Sequence, residues 1–328
     1  MKPDIDVGVV LPTRNSMPHI KEHVKALNTW IHKVREVIVV DSESTDGTVE
    51  YIREHLLHPK TIFLNHPPGL YKSWNEGIRH IHSEYTYIAT VNDYMPFETL
   101  HCLYLAANKF DADVVVSAPD YISEERMCEH RKWPIHCFLE ATAISDSHLL
   151  HPLELLAWNS IDLPGTMIGS SASNLYRTSS LQENLFPCDY GHAGDSAWAL
   201  GTSLNSRWVV VPKVKSNFLY HGGENLSGGN GRQLRSKLHL LAKSQMSSFK
   251  SSLSMSDQEK RLLKSLNELA DLWQDKENVT FGFQDYRERR IPWFLFYHAW
   301  KLRAARKNSN LSIFAQKRQI LSLLEELY

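Results

Sequence analysis

Two short apolar runs, residues 5–11 (IDVGVVL) and 37–40 (VIVV), break off abruptly into polar clusters, and no other feature restricts the fold of this chain as much. Valine- and isoleucine-rich runs of that length read as strands covered on both faces, as in a parallel sheet. Pro12, Thr13, Arg14 and Asn15 follow the first run, and Asp41, Ser42, Glu43, Ser44, Thr45 and Asp46 follow the second. Between them Ile20, Val24, Leu27 and Ile31 recur at helical spacing. A strand, helix and strand in that order bring both polar clusters to the carboxyl edge of the sheet, where open α/β sheets bind ligands. A single such loop could be helix capping alone, and residues 44–47 have the composition to cap the helix that Val49 and Ile52 begin. Two of them on adjacent strands favour a shared ligand.

The alternation continues along the chain. Residues 61–64 read as a third strand, 70–82 as a helix behind the Pro67-Pro68-Gly69 turn, 85–91 as a fourth strand, 96–110 as a helix and 113–117 as a fifth strand. That pattern predicts a doubly wound α/β sheet. The 42% hydrophobic content of the 328 residues suffices for one large α/β body with an appendage. A formal net charge of −1 conceals an asymmetry: residues 1–227 carry 18 Lys and Arg against 27 Asp and Glu, whereas 228–328 carry 18 against 10. An acidic body excludes a nucleic-acid footprint, and a basic tail is suited either to that body or to an anionic surface. Cys102, Cys128, Cys137 and Cys188 are too scattered for a disulfide scaffold, and Cys128, His130, His136 and Cys137 lack the separated ligand pairs of a structural zinc site. The sequence shows no secretory leader and no apolar run of spanning length, so a cytoplasmic protein is expected, with the cytoplasmic face of the membrane as a further option.

Seven motifs in order carry a family resemblance: PTRN, VVDSESTDGT, GLYKSWNEG, the acidic turn after the fourth strand, SASNLYRTSSL, GHAGDSAWAL and YHGGENLSG. Over residues 5–228 the chain resembles glycosyltransferase family 2. The resemblance implies a GT-A-type fold, a doubly wound and mixed but mostly parallel sheet, with a catalytic domain at 1–228 and a helical, basic C-terminal extension at 229–328.

Carried over by position, the resemblance implies a nucleotide-sugar site. Pro12, Thr13 and Arg14 would border base and ribose, and Asp41 would accept a hydrogen bond from one of them. Lys72 and Asn75, in the segment from Gly69 to Gly77, would lie beside the nucleotide. The donor would be a nucleotide-diphosphate sugar, uridine being the commonest base in similar enzymes. In those enzymes a DxD-like turn holds Mg²⁺ or Mn²⁺ on the pyrophosphate, because a hard cation on oxygen ligands stabilises charge growing on the leaving group. Here the turn reads Thr90-Val91-Asn92-Asp93, so either Asn92 or Asp93 would take the metal position, unless the turn only caps the helix near Pro96. His221 matches a further metal or phosphate ligand. Asp195, preceded by Gly194 where similar enzymes carry a first acid, would be the catalytic base or the N-cap of its helix. Trp133, Trp158 and Trp198 would either face sugars or fill the core.

Beyond Gly231 the pattern is helical, with Leu234, Leu238, Leu241 and Met246, then Leu262, Leu266, Leu269 and Leu272 or Trp273. Residues 291–303, aromatic and flanked by arginines, fit either peripheral contact with an anionic membrane or docking on the catalytic body. The expected activity is metal-assisted, inverting transfer of a single sugar to a glycan, lipid-linked or protein acceptor, as in the biosynthesis of cell-surface polysaccharides and other glycans. Without a QxxRW-like signature or membrane spans, a processive synthase is not expected. The alternative is a non-catalytic nucleotide-sugar or glycan-binding relative with a degenerate metal motif. A nucleotidyltransferase would need a glycine-rich first loop, which PTRNSMP is not.

Overall fold

Strand β1 (Val7–Thr13) and strand β2 (Glu36–Asp41) pair in parallel, with Val9 opposite Val37 and Thr13 opposite Asp41. The first strand thus runs two residues past its expected end, into the polar cluster. Pro12 is tolerated there because β4 (Tyr85–Ile88), the neighbour on the other side, follows β1 only as far as Val10, so no ladder donor is missing. The structure is a computed structural model that describes residues 3–122, 132–219, 231–252, 255–288 and 296–326, with only the backbone for 231–232, 251–252, 277–288 and 296–306.

The other strands are β3 (Thr61–Asn65), β5 (Val114–Val116), β6 (Asp120–Ile122), β7 (His148–Leu149), β8 (Asn174–Arg177), β9 (Trp208–Val210) and β10 (Asn217–Leu219). Eight of them form one sheet in the order β3-β2-β1-β4-β8-β5-β9-β7, parallel except that β8 runs against β4 and β5 and β7 runs against β9. The remaining two, β6 and β10, pair in parallel as a small separate sheet. Strand β4 stops at Ile88 instead of reaching Val91, because a turn begins at Thr90.

Both faces of the large sheet are apolar, as a parallel sheet requires. Val10, Ile38, Val40, Ile88, Val114 and Val116 point into one core, and Val7, Val9, Leu11, Val37, Val39 and Val115 into the other. All twelve are at most 1% exposed, and each such burial stabilises the fold by roughly 1.5–3 kcal/mol. Helices α1 (Met17–Asn28), α2 (Thr48–His55) and α4 (Phe97–Phe110) cover the second core. Helices α3 (Leu70–Arg79), α5 (Pro134–Thr142), α6 (Pro152–Ser160), α7 (Thr178–Glu183) and α8 (Gly194–Thr202) cover the first.

The seat of α3 on the sheet is set by Gly77. A Cβ there would stand 2.5 Å from Val10 Cγ1 and 3.0 Å from Val40 Cγ2, both in fully buried β-branched side chains. Gly77→Ala is therefore expected to destabilise the fold by about 1–3 kcal/mol through overpacking. Denaturant unfolding of the variant would measure it, and an unchanged midpoint would contradict the close seat.

Helices α9 (Gly231–Ser252), α10 (Asp257–Glu288) and α11 (Phe296–Glu325) complete the chain. The expected heptad-like leucines are inside: Leu234, Leu238, Met246, Leu262, Leu266 and Leu269 are buried, as is Trp273. These residues of α9 and α10 share an apolar core with α6 and α8, so the described parts of those two helices pack on the sheet-bearing body. Among the described residues, no helix is long and apolar enough to cross a membrane. Residues 291–295, and the side chains of 296–303, lie outside the described residues.

Candidate active site

The carboxyl ends of β1 and β2 are stitched together by hydrogen bonds. Asp41 accepts from Thr13 Oγ1 at 3.0 Å, Ser44 N at 2.8 Å and Ser44 Oγ at 2.6 Å. Asn15 N donates to Ser44 Oγ at 2.8 Å, Thr45 N to Asn15 Oδ1 at 2.9 Å, and Met17 N to Asp46 Oδ2 at 2.9 Å. Asp46 Oδ1 also accepts from Thr48 N at 3.1 Å and Thr48 Oγ1 at 2.6 Å, so Asp46 holds the start of α2, while the N-cap residue, Gly47, makes no side-chain cap. A carboxylate has about four lone-pair positions, and the described residues engage three of those of Asp41; Asp41 itself is buried, whereas Pro12 is half-buried and Arg14 exposed at the end of the neighbouring strand.

Helix α3 begins beside the Asp41 loop, and three of its side chains differ in what they reach. Ser73 Oγ shares a 2.7 Å hydrogen bond with Ser42 Oγ, next to Asp41. Lys72 is exposed, its stem folded over Gly69. Asn75 clamps backbone: its amide nitrogen donates to Phe186 O at 2.9 Å and its oxygen accepts from Phe186 N at 3.0 Å. With both ends of the amide engaged and the side chain buried, Asn75 holds the 186–188 segment against α3 and is turned away from the rim. The Asn-x-Gly pattern locates the residue but does not reveal which way the amide faces.

The turn after β4 is closed by Asp93 N donating to Thr90 O at 3.1 Å, with Asn92 at φ +82° in the left-handed region that asparagine tolerates. Asp93 points inward. Its carboxylate accepts from Thr90 Oγ1 at 2.7 Å, Ser170 Oγ at 3.1 Å and Leu219 N at 3.3 Å, so it ties the turn to the segment before β8 and to β10. Burial pushes its pKa up to about 6 against those three hydrogen bonds. Asn92, half-buried, forms the outer edge of the turn.

A hard divalent cation takes oxygen ligands, carboxylates foremost. The carboxylate of this turn is already engaged by three protein donors, and among the described residues no three His, Cys, Asp or Glu side chains are grouped as a cation site. His221 and the glycine-rich stretch after it lie outside the described residues. The described donor set does not fit a caged cation.

Asp195 lies in the first turn of α8, one residue past the helix start, and so is not the N-cap. Its Oδ1 accepts from Ser196 N at 2.7 Å, and Ser196 Oγ anchors on Pro164 O at 2.7 Å. Burial pushes the Asp195 carboxyl up, while the Ser196 amide, the Tyr71 hydroxyl and nearby His192 pull it back. A carboxylate raised in this way is a stronger base than one in water. Tyr71, two residues before Ser73 on α3, joins this end of the site to the Asp41 end. On the far side Ser170 accepts a place between Asp93 and Asn174, whose amide donates to Ser170 O at 2.9 Å and to Tyr176 Oη at 3.3 Å. Hydrogen bonds thus tie the Asp41 loop to α3 through Ser42 and Ser73, α3 to the turn before Asp195 through Tyr71 and His192 O, and Asp93 to the Ser170 segment.

Trp198 and Trp158 are core residues, 3% and 1% exposed. Trp133 is half-buried and packs on Tyr121 and Phe218, with ring centroids 5.0 Å from each. Cys102, Cys137 and Cys188 are free thiols; Cys128 and His130 lie outside the described residues.

The sequence model of glycosyl transferase family 2 matches residues 8–184, more than half of the chain. The chain belongs to glycosyl transferase family 2. No curated protein sequence matches it. Among solved structures it is similar to S. aureus TarS residues 1–349 in complex with UDP-GlcNAc, at 17% identity and TM-score 0.57, covering 99% of this chain and 90% of that one. The same fragment with UDP gives 17% identity and TM-score 0.54, covering 99% and 89%. At that identity the likeness concerns the fold, which is GT-A with C-terminal helices. This family 2 glycosyltransferase therefore carries its polar loops at the carboxyl edge of a mixed, mostly parallel sheet, as its sequence predicts. Two residues of the rim had no signal in the sequence. Tyr71 meets Asp195 from 124 positions away, and Ser170 meets Asp93 from 77 away.

Proposed function

We propose that the enzyme transfers one sugar, with inversion at the anomeric carbon, from a nucleotide-diphosphate donor to a hydroxyl of a glycan, lipid-linked or protein acceptor. The observation that carries this reading is α3 itself: one helix meets the Asp41 loop through Ser73 and, through the Tyr71 hydroxyl on His192 O, the turn that leads into Asp195. Nucleotide and acceptor would then face each other across that helix. Asp41 accepts from the base or ribose, with Pro12, Thr13 and Arg14 along the same edge and Lys72 as a solvent-facing cation for phosphate. Asp195 takes the acceptor proton as that oxygen bonds to the anomeric carbon. The bond from that carbon to the diphosphate breaks on the opposite side, and the nucleotide diphosphate leaves with the electron pair.

TarS was solved with UDP and UDP-GlcNAc, which supports a uridine diphosphate sugar as the first donor to test. The test is calorimetric titration with UDP, UDP-GlcNAc and GDP, beside product analysis with a panel of nucleotide sugars. UDP is expected to bind and Asp41→Ala to weaken it by about 1.5–3 kcal/mol if the carboxylate accepts from the ligand. Binding unaffected by Asp41→Ala would remove the nucleotide from this loop. Binding without turnover of any donor would instead favour a non-catalytic relative. We further propose that dependence on Mg²⁺ or Mn²⁺ is modest, because the carboxylate of the turn, Asp93, is buried and already accepts from three protein donors. Chelator in the same titration is expected to reduce donor binding without abolishing it.

A further inference from the structure

We propose that Tyr71 is a positioning residue for the Asp195 base, and that through it the helix facing the nucleotide fixes the direction in which the base points. The inference rests on the reading of Asp195 as the base. Tyr71 is 4% exposed, and its ring is gripped on several sides. It stacks on Phe186 with centroids 5.8 Å apart and meets Trp74 edge-on at 5.1 Å. On another side it lies against the backbone of Gly194, where a Cβ would come within 2.5 Å of Tyr71 Cδ2 and Cε2 and of Pro187 O. The glycine before the base is thus the seat of the ring, and no side chain fits there while Tyr71 holds this position.

With the ring fixed, the hydroxyl has one place to be. It donates to His192 O at 2.9 Å. The Asp195 carboxyl lies near enough to feel the same hydroxyl, which holds its pKa down against the effect of burial. A phenol has a single proton, so rotation about the C–O bond decides between the carbonyl and the carboxylate. Burial raises the Tyr71 pKa well above the ordinary phenol value, which keeps that proton in place through the neutral range. Asp195 is therefore oriented before any acceptor arrives: Ser196 N–H and Oγ donate to its Oδ1 at 2.7 and 3.3 Å, while Tyr71 holds the turn just before it through His192 O and the Gly194 backbone. Because Ser73 of the same helix holds Ser42 beside Asp41, a shift of α3 would move the nucleotide loop and the base together.

The test is Tyr71→Phe, which keeps the ring in its seat and removes only the hydroxyl. The kcat for transfer is expected to fall about tenfold to a hundredfold, the range for a lost hydrogen bond to a charged group. Donor KM and UDP affinity should stay at the parent values. The acid limb of kcat/KM should move to higher pH, because the charged form of Asp195 loses a donor. A variant with parent kcat and an unmoved acid limb overturns the proposal. So does a loss of UDP affinity equal to the loss in kcat/KM, which would put the hydroxyl on the nucleotide. Asp195→Asn, run in parallel, separates the two levels: full activity there removes the base reading itself, whereas an inactive Asp195→Asn beside an unimpaired Tyr71→Phe removes only the role of Tyr71.

Discussion

Asp195→Asn is expected to lower kcat by about 10²–10⁴-fold, the usual contribution of a positioned general base, with nucleotide affinity nearly intact. The substitution is isosteric, so the amide oxygen can still accept from Ser196 N and the first turn of α8 keeps its anchor through Ser196 Oγ on Pro164 O. What disappears is a group able to take a proton. That loss is felt only in the transition state, so kcat and kcat/KM should fall together while donor KM stays level. In the parent enzyme, activity should decline toward acid pH as the carboxyl protonates. Burial raises its pKa, so the decline begins at higher pH than it would for an exposed aspartate. Initial-rate kinetics with a turned-over nucleotide sugar, paired with UDP calorimetry, would check both statements. Parent-level kcat in Asp195→Asn would move the base elsewhere.

The sheet was legible from the sequence because valine and isoleucine runs that end in polar clusters report strands buried on both faces. Even the mistaken ends have causes: β1 continues through Pro12 where its second neighbour has turned away, and β4 gives way early to the turn closed by Asp93 N. The reversed strand β8 was not legible as such. Its four residues carry no sign of direction, and antiparallel placement between β4 and β5 is a tertiary decision.

At the site, motifs located residues without showing which way their polar groups face. Asn75, expected beside the nucleotide, gives its amide to the Phe186 backbone, and Asp93, with Asn92 one of two candidates for the metal position, accepts hydrogen bonds from three segments. A motif fixes a residue's place along the chain, whereas the direction of an amide or carboxylate depends on which donors the rest of the fold brings near. Gly194 is the converse case. Its missing side chain looks like a loss in the sequence, and in the fold it is the space that Tyr71 fills.

Glu154→Gln is expected to stabilise the protein above pH 7 and to leave it nearly unchanged near pH 4. Glu154 serves the N-terminus of α6, where its Oε2 accepts from His151 N at 3.2 Å as half of a capping box. Its other oxygen, Oε1, is buried with no hydrogen-bond partner among the described residues. Burial pushes the Glu154 pKa from 4.5 to about 7, the His151 amide opposing it, and burial likewise pushes Asp93 from 3.8 to about 6. A carboxyl with a higher pKa folded than unfolded holds its proton more tightly in the native state. Between the two values the native state therefore binds more protons than the unfolded chain, and stability falls as pH rises. The window runs from roughly pH 4 to 6 for Asp93 and from roughly pH 4.5 to 7 for Glu154, with a plateau above. At 1.36 kcal/mol per pKa unit, each carboxyl accounts for at most about 3 kcal/mol of the decline. Glutamine keeps an oxygen for the His151 amide and cannot ionise, so the Glu154 portion of the slope should vanish while the Asp93 portion, lower in pH, remains. Urea unfolding of parent and variant at pH 5 and pH 8 would resolve the two. Curves that decline in parallel across that interval would show that the buried carboxylate is not the cause.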